Sequence, residues 1–205
     1  AGLCFPVQAR PGPRRLAMRQ KSTEQAHLYI AYPSVALGHP DRYAVDLLST
    51  VLGEGMSSRL FLELREERAL VYDVHSYPSE FRDAGSFTIY AGCDPENARV
   101  TAELALAETA RLLQDLPERE LQKGKQMARG RVQLRMEDTR AVAGWLGSQA
   151  LLLDRILTVD EVVARIDAVT RDDVLRVGRE LLQPARATIA AVGPFEDDAT
   201  FAGLI

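Results

Sequence analysis

The stretch Leu52-Gly53-Glu54-Gly55-Met56-Ser57-Ser58-Arg59-Leu60-Phe61, continuing through Leu64-Arg65-Glu66-Glu67-Arg68-Ala69-Leu70-Val71-Tyr72, decides how the rest of the chain is read. Upstream of it, Pro40 and Asp41 open a helix. Ala44, Leu47, Leu48 and Val51 there follow the i, i+3, i+4, i+7 spacing of a buried face. Gly53 and Gly55 break that helix, because glycine accepts the positive φ that a sharp turn between helices needs. Ser57 or Ser58 is placed to cap a second helix that runs through Arg59, Leu60, Leu64 and Arg65 to about Arg68. The glycines follow a helix rather than a strand and lack a Gly-Lys-Ser/Thr ending, so a phosphate loop is set aside.

Working outward, Val71 to Phe81 reads as a long strand, Arg82-Asp83-Ala84-Gly85 as a turn, and Ser86 to Cys93 as the returning strand. Phe87, Ile89, Ala91 and Cys93 share one face of that hairpin. Before the opening helix, His27 to Pro33 alternates Leu28, Ile30 and Tyr32 against Tyr29 and Ala31, and Leu16-Ala17-Met18 is a short strand. Residues 1–15, with Pro6, Pro11, Gly12 and Pro13, read as a linker ahead of a single domain over 16–205. Downstream, Asp94 as N-cap and Pro95 at the first helical position start a helix that continues through Leu104, Ala107 and Arg111 to about Asp115. Further helices are expected from Pro117 to about Glu137 and from Thr139 to Leu153. Thr158 with Glu161, and Thr170 with Asp173, have the spacing of capping boxes for two more, the second stopping near Pro184. Arg186 to Val192 closes the chain's strands. The pattern predicts an α+β fold: a mainly antiparallel sheet of about five strands with several helices packed on one face.

Composition narrows the function classes. A net charge of −4 with acids and bases mixed along the chain gives no footprint for nucleic acid. No run approaches the ~20 apolar residues of a membrane span. Cys4 and Cys93 form no CxxC and read as unpaired thiols of a reducing compartment, with the bacterial cytoplasm the expected location. His27, His39 and His75 have no second histidine three or four residues away, so neither HExxH nor HxxEH exists and no metal site is expected in this chain. A GxSxG elbow is missing too. What remains is Arg65 near the end of one helix and Tyr72 near the start of the next strand. A reversal between them brings to one rim a guanidinium and a phenol, two donors able to grip a peptide carbonyl or a developing oxyanion. The competing reading is surface ion pairing of Arg59 with Glu63, and of Arg65 or Arg68 with Glu63, Glu66 and Glu67. Spacing alone favours it.

The Leu52–Tyr72 stretch closely resembles the C-terminal, non-catalytic domain of the insulinase/pitrilysin family of zinc peptidases, including its processing-peptidase branch. Lys21-Ser22-Thr23-Glu24-Gln25-Ala26, Asp83-Ala84-Gly85-Ser86-Phe87, Tyr90-Ala91-Gly92 and Ala190-Ala191-Val192-Gly193-Pro194 agree with it, so the likeness runs from about Arg14 onward. The resemblance implies two similar halves closing around an extended peptide. It puts zinc in a partner half, an N-terminal domain or a sister subunit, that activates water at an inverted HxxEH motif. No cofactor belongs to this half, which lends Arg65 and Tyr72 to the cleft. It also implies peptide binding by strand addition and allows a homodimer. Two departures stand out: Glu54 occupies a position where glycine is common, and Ala69 replaces a frequent glycine. The same fold also resembles the core subunits of a respiratory quinol–cytochrome complex, which makes a structural scaffold the alternative. A stand-alone peptide-binding module is the third reading.

Overall fold

The computed structural model describes residues 15–153 and 155–205. The strands are β1 (Leu16–Gln20), β2 (Ala26–Ser34), β3 (Val71–Glu80), β4 (Gly85–Cys93) and β5 (Thr188–Gly193). The α-helices are α1 (Arg42–Gly53), α2 (Ala98–Gln114), α3 (Glu118–Arg135), α4 (Thr139–Leu152), α5 (Val159–Ala168) and α6 (Arg171–Leu181). The five strands form one sheet in the order β1-β5-β2-β4-β3. Every neighbouring pair is antiparallel except β1 with β5. The expected α+β architecture is therefore the observed one.

Alternation along the strands decides which face is covered. Leu28, Ile30 and Tyr32 of β2, Phe87, Ile89 and Ala91 of β4, and Ile189 and Ala191 of β5 are all buried. They meet α1, α2 and α6, which pack on that side. The capping boxes at Thr158/Glu161 and Thr170/Asp173 both form, which fixes the starts of α5 and α6. Among the described residues no helix is long and apolar enough to cross a membrane. Cys93 is buried and unpaired, and burial pushes its thiol pKa up. Cys4 and the expected linker up to residue 14 lie outside the described residues. The carbonyl of Arg15 already accepts the Ile189 N–H at 2.7 Å, so that residue is tied to the sheet rather than to a linker.

Several local expectations need correction. The helix after the glycines is wound as a π-helix over Phe61–Glu67, and neither Ser57 nor Ser58 caps it. The Ser58 hydroxyl instead donates back to the Gly55 carbonyl at 2.8 Å. Asp94 gives no side-chain cap; a 3-10 turn at Pro95–Asn97 intervenes and α2 starts at Ala98. A second 3-10 turn at Pro184–Arg186 delays β5 to Thr188. Glu54 does charge the turn, but the charge is matched: Thr50 Oγ1 donates to it at 2.7 Å and Arg131 Nη2 at 2.6 Å.

The reversal into β3 is closed at Ala69, whose φ is +51°. The Leu70 N–H donates to the Leu64 carbonyl at 2.9 Å. That bond reaches back six residues, one more than the closing bond of an α-helical Schellman turn, as the wider π winding requires. A Cβ in this left-handed region costs about 1–2 kcal/mol. Ala69→Gly should therefore raise unfolding stability by roughly 0.5–1 kcal/mol in urea titrations, part of the relief being lost to the more flexible unfolded chain. A variant less stable than the parent would show that the turn is not strained.

Candidate functional site

Arg65 sits in the last turn of the π-helix with its side chain exposed. Its guanidinium lies 5.1 Å from the centre of the Phe61 ring. It makes no ion pair and no hydrogen bond among the described residues. The ion pairing that competed for it in the sequence goes elsewhere. Arg59 reaches Glu120 at 2.8 Å and the Asp115 carbonyl at 2.7 Å, not Glu63. Arg68 takes Glu63 at 2.6 Å, and the five-residue separation of that pair matches a π turn. The pairing expectation thus holds for Arg68 and fails for Arg59 and Arg65.

Tyr72 owes its position to an irregularity in β3. Val71 is in register with Cys93 and Asp73 with Gly92, so Tyr72 is the extra residue of a bulge. Bulges re-aim side chains: Val71 is buried, whereas Tyr72 is 51% exposed. The Tyr72 hydroxyl donates to Asp94 Oδ1 at 2.6 Å. That bond to a carboxylate is the main cause of the raised phenol pKa, so Tyr72 holds its proton as a donor. The carboxylate expected to cap a helix instead anchors this phenol. Sequence reasoning missed the partnership, as it missed Phe61 beneath Arg65.

The turn at Ala69 joins the end of the π-helix to the start of β3, and the side chains of Arg65 and Tyr72 are each exposed. No hydrogen bond joins them. Two cavities, of about 720 and 670 Å³, lie on the helical side; the second is bounded by α1, β3, α3 and α4. Neither includes Arg65 or Tyr72.

The histidines take other partners. His27 Nδ1 is hydrogen-bonded to the Tyr90 hydroxyl at 2.9 Å, His75 Nδ1 lies 3.3 Å from Asp73, and His39 Nδ1 accepts the Asp41 N–H at 3.1 Å. Among the described residues no three His, Cys, Asp or Glu side chains gather into a metal-binding group.

A family model described as the peptidase M16 inactive domain matches residues 3–128, which takes in the whole turn from Gly53 to Tyr72. The chain belongs to this M16 inactive-domain family. An uncharacterized zinc protease of Streptomyces coelicolor is 36% identical to this inactive domain over 199 residues, 94% of the chain but 43% of the relative. The beta subunit of the mouse mitochondrial-processing peptidase is 26% identical over 190 residues, 88% of the chain and 39% of the subunit. This M16 domain therefore spans less than half the length of these curated relatives. Among solved structures, a protease from Helicobacter pylori superposes with a TM-score of 0.80 at 24% identity, covering 86% of this chain and 43% of that one. Complex III of Candida albicans matches with a TM-score of 0.79 at 20% identity, over 89% of this chain and 46% of that one. At these identities the structural matches speak for the fold of the M16 domain.

Proposed function

We propose that this inactive domain is the non-zinc half of a metallopeptidase cleft, where it holds an extended peptide and turns Arg65 and Tyr72 toward the carbonyl being cleaved. Two observations support the reading: Arg65 is an exposed guanidinium without an ion pair among the described residues, and Tyr72 is a phenol lifted out of its strand by a bulge. Fixed donors aimed where negative charge develops are worth far more in a closed site than in water. The guanidinium fork can grip a carbonyl oxygen without first breaking an ion pair. Tyr72 must exchange Asp94 for the substrate oxygen, and the carboxylate that it leaves keeps the phenol protonated for that exchange. Zinc belongs to the partner half in this reading, in keeping with relatives named zinc proteases that are more than twice as long.

β3 suits the substrate. It is an edge strand, so its outer N–H and C=O groups are free to pair with an added strand. Pro78 interrupts that pairing, which confines it to about Val71–Tyr77, the part that contains Tyr72. The fold likeness to a complex III chain supports a scaffold as second reading. The exposed Arg65 guanidinium and the outward-turned Tyr72 phenol favour the peptidase reading over it.

The test is Tyr72→Phe in the complete protein, with the zinc-bearing half present. Loss of one donor that first has to leave Asp94 should lower kcat for peptide hydrolysis about 10- to 100-fold, with a smaller change in KM. Unchanged kcat and KM would remove Tyr72 from the site and return the domain to a scaffold.

A further inference from the structure

The helical segment that carries Arg65 needs something to hold its winding. π-turns are rare, occur mostly as single inserted turns, and are frequent at functional sites. Here the winding runs over seven residues, Phe61–Glu67. Burial of Leu60 and Leu64 fastens one side of the segment to the core. The restraint that spans the turn is an ion pair, with Arg68 Nε donating to Glu63 Oε1 at 2.6 Å. Arg65 lies inside the loop that this pair closes, two residues after Glu63 and three before Arg68.

The pair belongs to the π winding. In an α-helix, residues five apart point about 140° away from each other around the axis and so lie on different faces. In a π-turn, where the hydrogen bonds run between residues five apart, they come round to nearly the same side. The bond therefore closes only while the wider turn is kept, and its loss opposes relaxation to α winding. Burial gives that opposition its weight. The Glu63 side chain is 10% exposed, against 51% for Arg68. A nearly buried carboxylate parted from its cation is costly. Glu63 has no second cation among the described residues, and another buried acid, Glu108, stands close by. Burial foremost, and the Glu63 charge besides, push the Glu108 pKa up. Relaxing the turn would strand one carboxylate beside the other.

We propose that Glu63 and Arg68 form a clasp that positions Arg65, holding its turn in the winding that presents the guanidinium outward over Phe61; the inference rests on the peptide-cleft reading above. Both are positioning residues and act through Arg65 alone. Arg68 takes the carboxylate, and Arg65 keeps its charge unspent, 5.1 Å from the centre of the Phe61 ring. A donor displaced by about 1 Å loses much of its hold on a transition state.

The test uses the complete protein, with the zinc-bearing half present, and one fluorogenic peptide. Arg68→Ala should lower kcat about tenfold and change KM by less than about twofold. Arg68→Lys, which keeps a cation for Glu63, should return kcat to within about threefold of the parent. Glu63→Gln with Arg68→Ala removes the buried charge together with the clasp; it should show the same loss of kcat and serves if Arg68→Ala does not fold. The same substitutions are then made in an Arg65→Ala background, where the clasp has nothing left to aim. There they should lower kcat further by less than about twofold. A tenfold loss in both backgrounds, no loss in the parent, or a lysine variant no better than alanine would overturn the clasp and leave Arg65 in place. If Arg65→Ala by itself leaves turnover unchanged, the cleft reading falls and the clasp with it.

Discussion

Arg65→Ala in the complete protein should lower kcat for peptide hydrolysis by about 100-fold or more while shifting folding stability by less than about 1 kcal/mol. The asymmetry follows from what the side chain touches. Among the described residues it has no ion pair or hydrogen bond and lies over the Phe61 ring, so the fold loses one weak cation–π interaction. The catalytic loss has the magnitude seen when one fixed donor is removed from a developing oxyanion. Arg65→Lys should fall between, because it keeps the charge and loses the fork that spans two acceptors. Steady-state kinetics with a fluorogenic peptide, alongside urea unfolding, read both quantities. Equal losses of stability and turnover would mark Arg65 as a structural residue.

Gly53→Ala should destabilise the fold by about 2–3 kcal/mol, the cost of forcing atoms into a packed contact. A Cβ at Gly53 would meet the Ser76 backbone nitrogen at 2.4 Å and its hydroxyl at 2.6 Å. Ser76 has little freedom to yield: its hydroxyl donates to the Ser49 carbonyl at 3.0 Å and its strand is paired with β4. Alanine's better helix propensity recovers at most about 1 kcal/mol at the end of α1. This contact seats β3 on α1 just beyond the bulge that turns Tyr72 outward, so the substitution should also loosen the site. Gly130 in α3, with open space where its Cβ would be, is the control; Gly130→Ala should be neutral or slightly stabilising. A midpoint for Gly53→Ala within error of the parent in urea would show that helix and strand are not in the contact described.

The parts of the fold legible in the sequence were those set by short-range rules. The alternation in β2 and β4 named their buried residues, and the threonine–carboxylate spacing at Thr158 and Thr170 named two helix starts. What escaped depends on residues far apart. The parallel pairing of β1 with β5 joins opposite ends of the chain, and no local pattern announces it. Arg59 finds Glu120, 61 residues away, rather than the glutamate one turn on. The π winding of Phe61–Glu67 carries the same helix-forming residues as an α-turn, so only its closure onto Leu64 and Ala69 reveals it. At the candidate site, the motif gave Arg65 and Tyr72. Asp94 was read as a cap because Asp-Pro is a strong local signal, yet a phenol from β3 claims its carboxylate. Tyr29, His75 and Tyr90 come from β2, β3 and β4, and strand register alone brings their rings together.

Photo-crosslinking from position 72 asks most directly whether a peptide lies against this rim. Tyr72→p-benzoylphenylalanine in the complete protein, irradiated with a labelled peptide, should yield an adduct on residues flanking the cleaved bond, suppressed by excess unlabelled peptide. Adducts only within the protein, from a variant that still binds the peptide normally, would show that substrate passes elsewhere and that residues 65 and 72 do not face it.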